Sequence, residues 1–190
     1  MIIESIIITT TAAGAPYIAP MGVIWRDGGP ILAPFRPSST LDNLRRSGCA
    51  VINHTDDVRV FAGCLTGRRD WPVRAAARVE GWVLADALSH QELTVERFED
   101  DEVRPRFRCR VIHEAGHRPF RGHNRAQAAV IEAAILVSRL HLLPWEKIER
   151  ELGYLRIAVD KTAGPREREA WDWLMDRVSA FHHRSEGAVP

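Results

Sequence analysis

The chain has no apolar run approaching the ~20 residues that a membrane span needs. It also has no excess of charge: 26 Lys and Arg stand against 25 Asp and Glu, a formal net charge of +1. No global field recruits nucleic acid or anionic lipid, so neither a polyanion nor a membrane is expected as partner. Cysteine is scarce, and Cys49, Cys64 and Cys109 lack metal-like pairing. They read as reduced, mostly buried thiols, which with a β-rich start and no basic leader points to a soluble, cytoplasmic protein. Low complexity and internal repeats are absent as well. What is present suffices for one sizeable core, since 190 residues fit one domain or a domain with a helical appendage.

The first half alternates β-branched runs with Gly and Pro. Strands are predicted over 2–11, 17–25, 30–35 and 49–53, with Asp27-Gly28-Gly29 as a hairpin turn between the second and third. Thr40 to Ser47 has helical spacing, with Ser39 or Thr40 as cap, Leu41 and Leu44 three apart, and Gly48 as terminator. A second short helix is predicted from Asp56 to Leu65, and strand-like composition returns over 74–86 and 103–113. In the latter, Val103, Phe107, Cys109 and Val111 would face one way and arginines the other.

From His123 the character changes. Asn124 and Gln127 suggest a helix cap, and Ala126 to Leu143 forms a helix so apolar that it must be covered on nearly all sides, under the sheet or in a subunit contact. Pro144 opens another helix, with Gly153 as its predicted end. Gly164-Pro165 opens a last one whose tail is expected to fray from His183. Strands first and helices last imply an α+β architecture: a small β-barrel over 1–120 and a helical region over 121–190, packed on the barrel or serving as a dimer arm.

Two patterns carry chemistry. His113-Glu114-Ala115-Gly116-His117 matches the HExxH string of zinc hydrolases, and His123 falls where a third ligand would sit. That chemistry needs both histidines on one helical face. Strand-like residues before the string, Pro105 and Pro119 around it, and Gly116 within it argue for an end-of-strand loop instead, so no residues are assigned to a metal. The second pattern is Arg36-Pro37-Ser38-Ser39-Thr40 ahead of a helix. One hydroxyl serves a cap, while the arginine and two more hydroxyls exceed that need and suit an anion held at a helix mouth. Ala19-Pro20-Met21-Gly22-Val23 would let a flat ligand approach backbone, and Asn53-His54-Thr55-Asp56-Asp57 could hold a polyol or ring edge, or cap a helix through Thr55 or Asp56. Alternating Arg104, Arg106, Arg108 and Arg110 read as a solvated or salt-bridged face, or as partners for the acidic 99–102 loop of a neighbour.

The order strand, Met-Gly strand, Pro-Phe-Arg turn with Ser-Ser-Thr, Asn-Leu helix, then strand ending in Asn resembles the flavin reductase-like, FMN-binding split-barrel proteins. Gly122-His123-Asn124-Arg125-Ala126, running into Val130-Ile131-Glu132-Ala133-Ala134 and Arg139-Leu140, is similar to an uncharacterised archaeal and bacterial branch of that group. The resemblance implies a homodimer of split barrels with FMN near the subunit interface. Arg36, Ser38, Ser39 and Thr40 would hold the phosphate, with Asn43 supporting the turn. Met21, Gly22 and Val23 would line the isoalloxazine, Asn53 and Thr55 would reach the ribityl chain or ring edge, and His123, Asn124 and Arg125 would close the site. The implied function is an oxidoreductase or flavin carrier acting with a small electron donor or acceptor. The competing readings are a non-catalytic flavin-fold protein pairing through its Ala-rich helix, and a zinc hydrolase through the HEAGH string.

Overall fold

The computed structural model describes residues 1–186, arranged as two compact units. Residues 1–56 and 70–120 form a barrel unit; segment 57–69, which lies inside the first 120 residues, groups instead with 121–190 in a helical unit.

The barrel strands are β1 (Ile2–Thr10), β2 (Pro16–Arg26), β3 (Gly29–Leu32), β4 (Cys49–His54), β7 (Ser89–Glu99) and β8 (Arg106–Gly116). A separate two-stranded sheet pairs β5 (Val73–Ala75) with β6 (Trp82–Leu84). The barrel closes in the order β1-β2-β3-β8-β7-β4, and every pairing in it is antiparallel. Closure gives every strand a neighbour on both sides, although β3 reaches only the last three residues of β2. The expected hairpin joins β2 to β3, with Arg26 opposite Gly29.

Ile7, Val23, Leu32, Ile52, Leu93 and Phe107 fill the interior, and helix α1 (Ser39–Ser47) adds Leu41 and Leu44 to the same cluster. Each such side chain contributes about 1.5–3 kcal/mol by leaving water. Ile6 and Ile8 face outward from β1, yet they are as buried as Ile7. The reason is the β5–β6 segment, which lies over β1 and β4 and supplies buried Val83 and Leu84. A strand covered on both faces reads as an unbroken apolar run, as Ile6-Ile7-Ile8 does.

Several expectations need correcting. β7 was not predicted at all: Ser89-His90-Gln91-Glu92 at its start and Glu96-Arg97 near its end dilute the apolar signal. The stretch 74–86 is two short strands joined by a turn region rather than one strand. Val103 precedes β8 and is exposed, whereas Phe107 and Cys109 point into the core. The cap of α1 is Ser38, whose Oγ accepts the Leu41 N–H at 3.3 Å, rather than Ser39 or Thr40; Gly48 ends the helix at φ 65°.

The helical unit consists of α2 (Arg59–Leu65), α3 (Arg125–Ser138), α4 (Trp145–Thr162) and α5 (Pro165–Glu186). Asn124 caps α3 as anticipated, accepting the Ala126 N–H at 2.7 Å, but Gln127 bonds Glu167 instead of folding back on the cap. The apolar α3 is covered by α2, α4 and α5 of its own unit, with Ala126, Ala129, Ala133 and Ala134 buried and Ala128 exposed. Gly153 does not end α4, which continues to Thr162; helix propensity loses to packing there, because Leu152 and Val159 on either side are both buried. Helix α5 runs through His183 to Glu186, past the expected point of fraying, and 187–190 lie outside the described residues. At the start of α2, Arg59 makes an ion pair with buried Asp57 at 2.7 Å and another with Glu169 at 3.1 Å.

Candidate functional site

The mouth of α1 gathers the residues expected to hold an anion. Ser38 is spent on the cap, and the first-turn N–H groups of Ser39 and Thr40 have no intrahelical carbonyl to bond. Ser39 is exposed and Thr40 is buried. Asn43 is buried one turn on, its Nδ2 donating to Thr9 Oγ1 at 3.0 Å, which ties α1 to β1. Arg36, two residues before the cap, pairs through its guanidinium with Asp100; Arg45, in the last turn of α1, stands 3.7 Å from the same carboxylate. The Arg36 N–H donates to Val103 O at 3.0 Å, so the 100–103 loop lies alongside the turn. An exposed hydroxyl and first-turn amides therefore meet at the mouth of α1, and Asp100 pairs with both arginines.

Met21, Gly22 and Val23 lie side by side on β2. Val23 is fully buried in the barrel interior and Met21 packs against the same cluster, so their side chains serve the core. Gly22 faces the other way, and a Cβ there would sit 2.8 Å from Ile2 Cγ2 and 3.1 Å from Glu4 Oε1. β3 pairs β2 only at Ile24, Trp25 and Arg26, leaving residues 16–23 without a strand on that side. Main-chain groups are thus what this part of β2 offers a ligand.

Asn53, next to last in β4, is fully buried. Its Nδ2 donates to Ile6 O and Val51 O, both at 3.3 Å, and its Oδ1 accepts the Leu84 N–H at 2.8 Å. The amide fastens the β5–β6 segment to the barrel and spends its hydrogen-bonding capacity there. Thr55 follows in the connection beyond β4. His54 between them has its pKa lowered, because burial outweighs the bond to Gln91 and the charge of Glu114. The structure therefore brings Arg36, Ser38, Ser39, Thr40 and Asn43 together on one turn and helix. His123, Asn124 and Arg125 belong to the helical unit, where Asn124 also donates to Thr162 O at 3.0 Å and His123 and Arg125 are exposed.

The HExxH string is a strand. His113 and His117 sit on β8 and the connection just after it, and in extended chain four residues span about 13 Å. The two histidines cannot share one ion in the way a helix permits, so the hydrolase geometry is absent. What the string does form was hidden with β7. Glu92 lies opposite His113 and His90 opposite Ala115, which puts His90, Glu92, His113 and His117 on one face. His90 and Glu92 are buried, and the ligating atoms of His90, Glu92 and His113 lie within 4.8 Å of one another. Burial opposes ionisation of Glu92, but N–H groups of Ala77, Arg78 and Val79 donate to it at 2.6–2.9 Å and bring its pKa below the ordinary value. Alternation His90-x-Glu92 against His113-x-x-x-His117 was the available signal, readable only once the two strands are known to pair.

The arginine face of β8 is salt-bridged within the chain. Arg108 meets Glu99 and Arg110 meets Glu96, each at 2.7 Å, while Arg104 bonds Ala33 O and stacks over Phe35.

Residues 3–118 match a family model described as "Protein of unknown function (DUF447) N-terminal domain", and residues 124–176 match a second, described as "Protein of unknown function (DUF447)". The chain belongs to the DUF447 family. No curated protein sequence matches it. Among solved structures, an FMN-bound DUF447 protein from Methanosarcina mazei is similar over 93% of this chain and 94% of its own, at 19% identity and a TM-score of 0.82. The 2-nitrobenzoate 2-nitroreductase of Pseudomonas fluorescens is similar over 60% of this chain and 64% of its own, at 14% identity and a TM-score of 0.52. The flavin reductase component of a bacterial two-component tryptophan halogenase covers 63% of this chain and 82% of its own, at 15% identity and a TM-score of 0.51. The flavin reductase-like barrel with a C-terminal helical region is thus the fold of this DUF447 chain. Among its described residues, no helix is long and apolar enough to cross a membrane, and the three cysteines form no disulfide.

Proposed function

We propose that the protein binds FMN on its barrel unit and works as a cytoplasmic homodimer, as an oxidoreductase or flavin carrier acting with a small electron donor or acceptor. The observation that carries this reading is the α1 mouth, where Ser39, Thr40 and first-turn amides follow directly on Arg36 in a chain whose fold is shared almost end to end with an FMN-bound protein. The phosphate would bond the amides and hydroxyls of Ser39 and Thr40 and take the Arg36 guanidinium from Asp100. Ser38 and Asn43 would keep the turn in shape. The backbone of Met21, Gly22 and Val23 would lie against the ring. Thr55 would stand near the ribityl chain, and Asn53 would support it through the β5–β6 segment.

Electron or hydride transfer is what the flavin itself supplies, and the chain needs only to bind, orient and tune it. Protein purified without added cofactor is expected to show flavin absorption, with FMN released on denaturation, and Arg36→Ala is expected to weaken FMN binding without loss of fold. Colourless protein that also fails to take up added FMN overturns the reading. Reduction of the bound flavin by a nicotinamide or deazaflavin donor, followed by reoxidation with an acceptor, would establish an enzyme rather than a flavin-holding module. The Ala-rich surface of α3 is covered within its own unit, so it adds nothing to the module reading.

A further inference from the structure

The histidine cluster on the outer face of the barrel brings ligating atoms within reach of one cation. Arg74 lies 2.7 Å from His117 Nε2 and 3.3 Å from its Nδ1. His117 Nε2 and His90 Nδ1 stand 2.8 Å apart, so one of them donates to the other. Where His90 Nδ1 is the donor, the Nε2 of that neutral ring turns a lone pair toward Glu92 Oε1, 3.3 Å away, and both residues are buried. In that tautomer a positive charge between the two atoms satisfies both lone pairs. The spacing suits a metal ion: ligand atoms about 2.0–2.1 Å from a tetrahedral zinc stand about 3.3 Å apart. His113, directly across from Glu92, brings a third donor with its ring centroid 5.7 Å from that of His90. Ala115, opposite His90, keeps the space between the two β8 histidines open.

We propose that His90, Glu92 and His113 form a three-ligand site for a zinc-like divalent cation, with His117 as the positioning residue that fixes His90. Two imidazoles and one carboxylate are the donor set of a borderline metal, and His117 Nε2 takes the outer position where a ligating histidine ordinarily finds an acceptor for its second ring N–H. His113 is only half-buried, so a fourth position opens on its side toward solvent. Glu92 also holds the backbone of residues 77–79, so the ion would join β7, β8 and the turn that follows β5. This site uses one histidine of the HExxH string and owes nothing to a helix, and it stands independently of flavin binding.

The test is metal uptake by full-length protein stripped with a chelator and then titrated with zinc by calorimetry, with cobalt(II) as a visible-absorption probe. One equivalent is expected, with cobalt bands of low coordination number. Loss of an outer partner typically costs 10–100-fold in affinity, so His117→Ala should fall in that range and alter the cobalt spectrum, while His113→Ala should lose at least about 100-fold. His141→Ala and His183→Ala, exposed histidines of the other unit, should leave both signals unchanged. Zinc-edge X-ray absorption of the loaded wild type reads the ligands without any variant and should show two imidazoles with oxygen donors. Failure of the stripped protein to take up zinc or cobalt overturns the proposal, as does His113→Ala binding as tightly as wild type or an absorption edge with sulfur or a single imidazole.

Discussion

The two units bury different kinds of material. The barrel encloses β-branched and aromatic side chains and also nearly all of the buried polar groups, among them Asn43, Asn53, His90 and Glu92. The helical unit packs small residues, Ala126, Ala129, Ala133, Ala134 and Ala170, around a few large ones, and its buried charges are Asp57 and Glu167. Small residues bring helix backbones close; a barrel interior must instead be filled by bulk, and its walls carry polar groups that need partners. Chemistry accumulates in the unit that can satisfy buried polar atoms with strand and loop backbone.

This contrast can be broken by substitution. Phe107→Ala should cost the barrel about 3–5 kcal/mol, because a large hole opens among residues that cannot collapse into it. The reverse change suits the other unit: Ala133→Leu should cost about 1–3 kcal/mol by overpacking α3 against its neighbours. Both are read by denaturant melts with a probe in each unit, and equal sensitivity of the two units to both kinds of change would erase the distinction. Asn53→Ala should cost about 1–3 kcal/mol, since the Leu84 N–H loses its buried acceptor, and hydrogen exchange should rise first over residues 82–84.

Acid should separate the units further. His54 in the barrel has a pKa below the ordinary 6.5, so it binds protons more readily unfolded; its contribution is complete above that value and is lost as pH falls through it. Burial would raise the Asp57 pKa, but bonds and charge from Arg59, with Arg166 beyond, bring it below the ordinary 3.8. Its contribution is therefore present above that value and is lost only as pH falls below it. The barrel should begin to weaken near pH 6.5 and the Asp57 contacts only in the carboxylate range, as unit-specific hydrogen exchange against pH would show. The smallest effect belongs to Arg108→Ala. Its pair with Glu99 is open to solvent and screened, so the melting curve should barely move.

Much of the fold was legible because local signals agreed with tertiary roles. β1 to β4, α1 and its Gly48 terminator, and the opening residues of α4 and α5 all follow from period and punctuation. Where local and tertiary preferences parted, reading failed. Gly153 looked like a stop although packing carries α4 through it, and the acidic and basic residues of β7 hid a strand that pairs on both sides. In the candidate site, Arg36, Ser38, Ser39, Thr40 and Asn43 were readable because they are neighbours in sequence. The commitment of Asn53 to Leu84, and of Arg36 to Asp100, was not, since each partner lies far along the chain.

By itself the sequence determined the charge balance, the strand-then-helix order and the hydroxyl-rich mouth of α1. These depend on residue type and on spacings of a few positions, which is the range over which backbone geometry repeats. The tertiary structure alone decided that His113 faces Glu92, that His90 lies between Glu92 and His117, and that segment 57–69 joins the helical unit. Those are matters of strand register and chain closure. A shift of one residue in the β7–β8 pairing would turn His113 and His117 to the face opposite His90 and Glu92, and no local pattern records which register the whole barrel prefers.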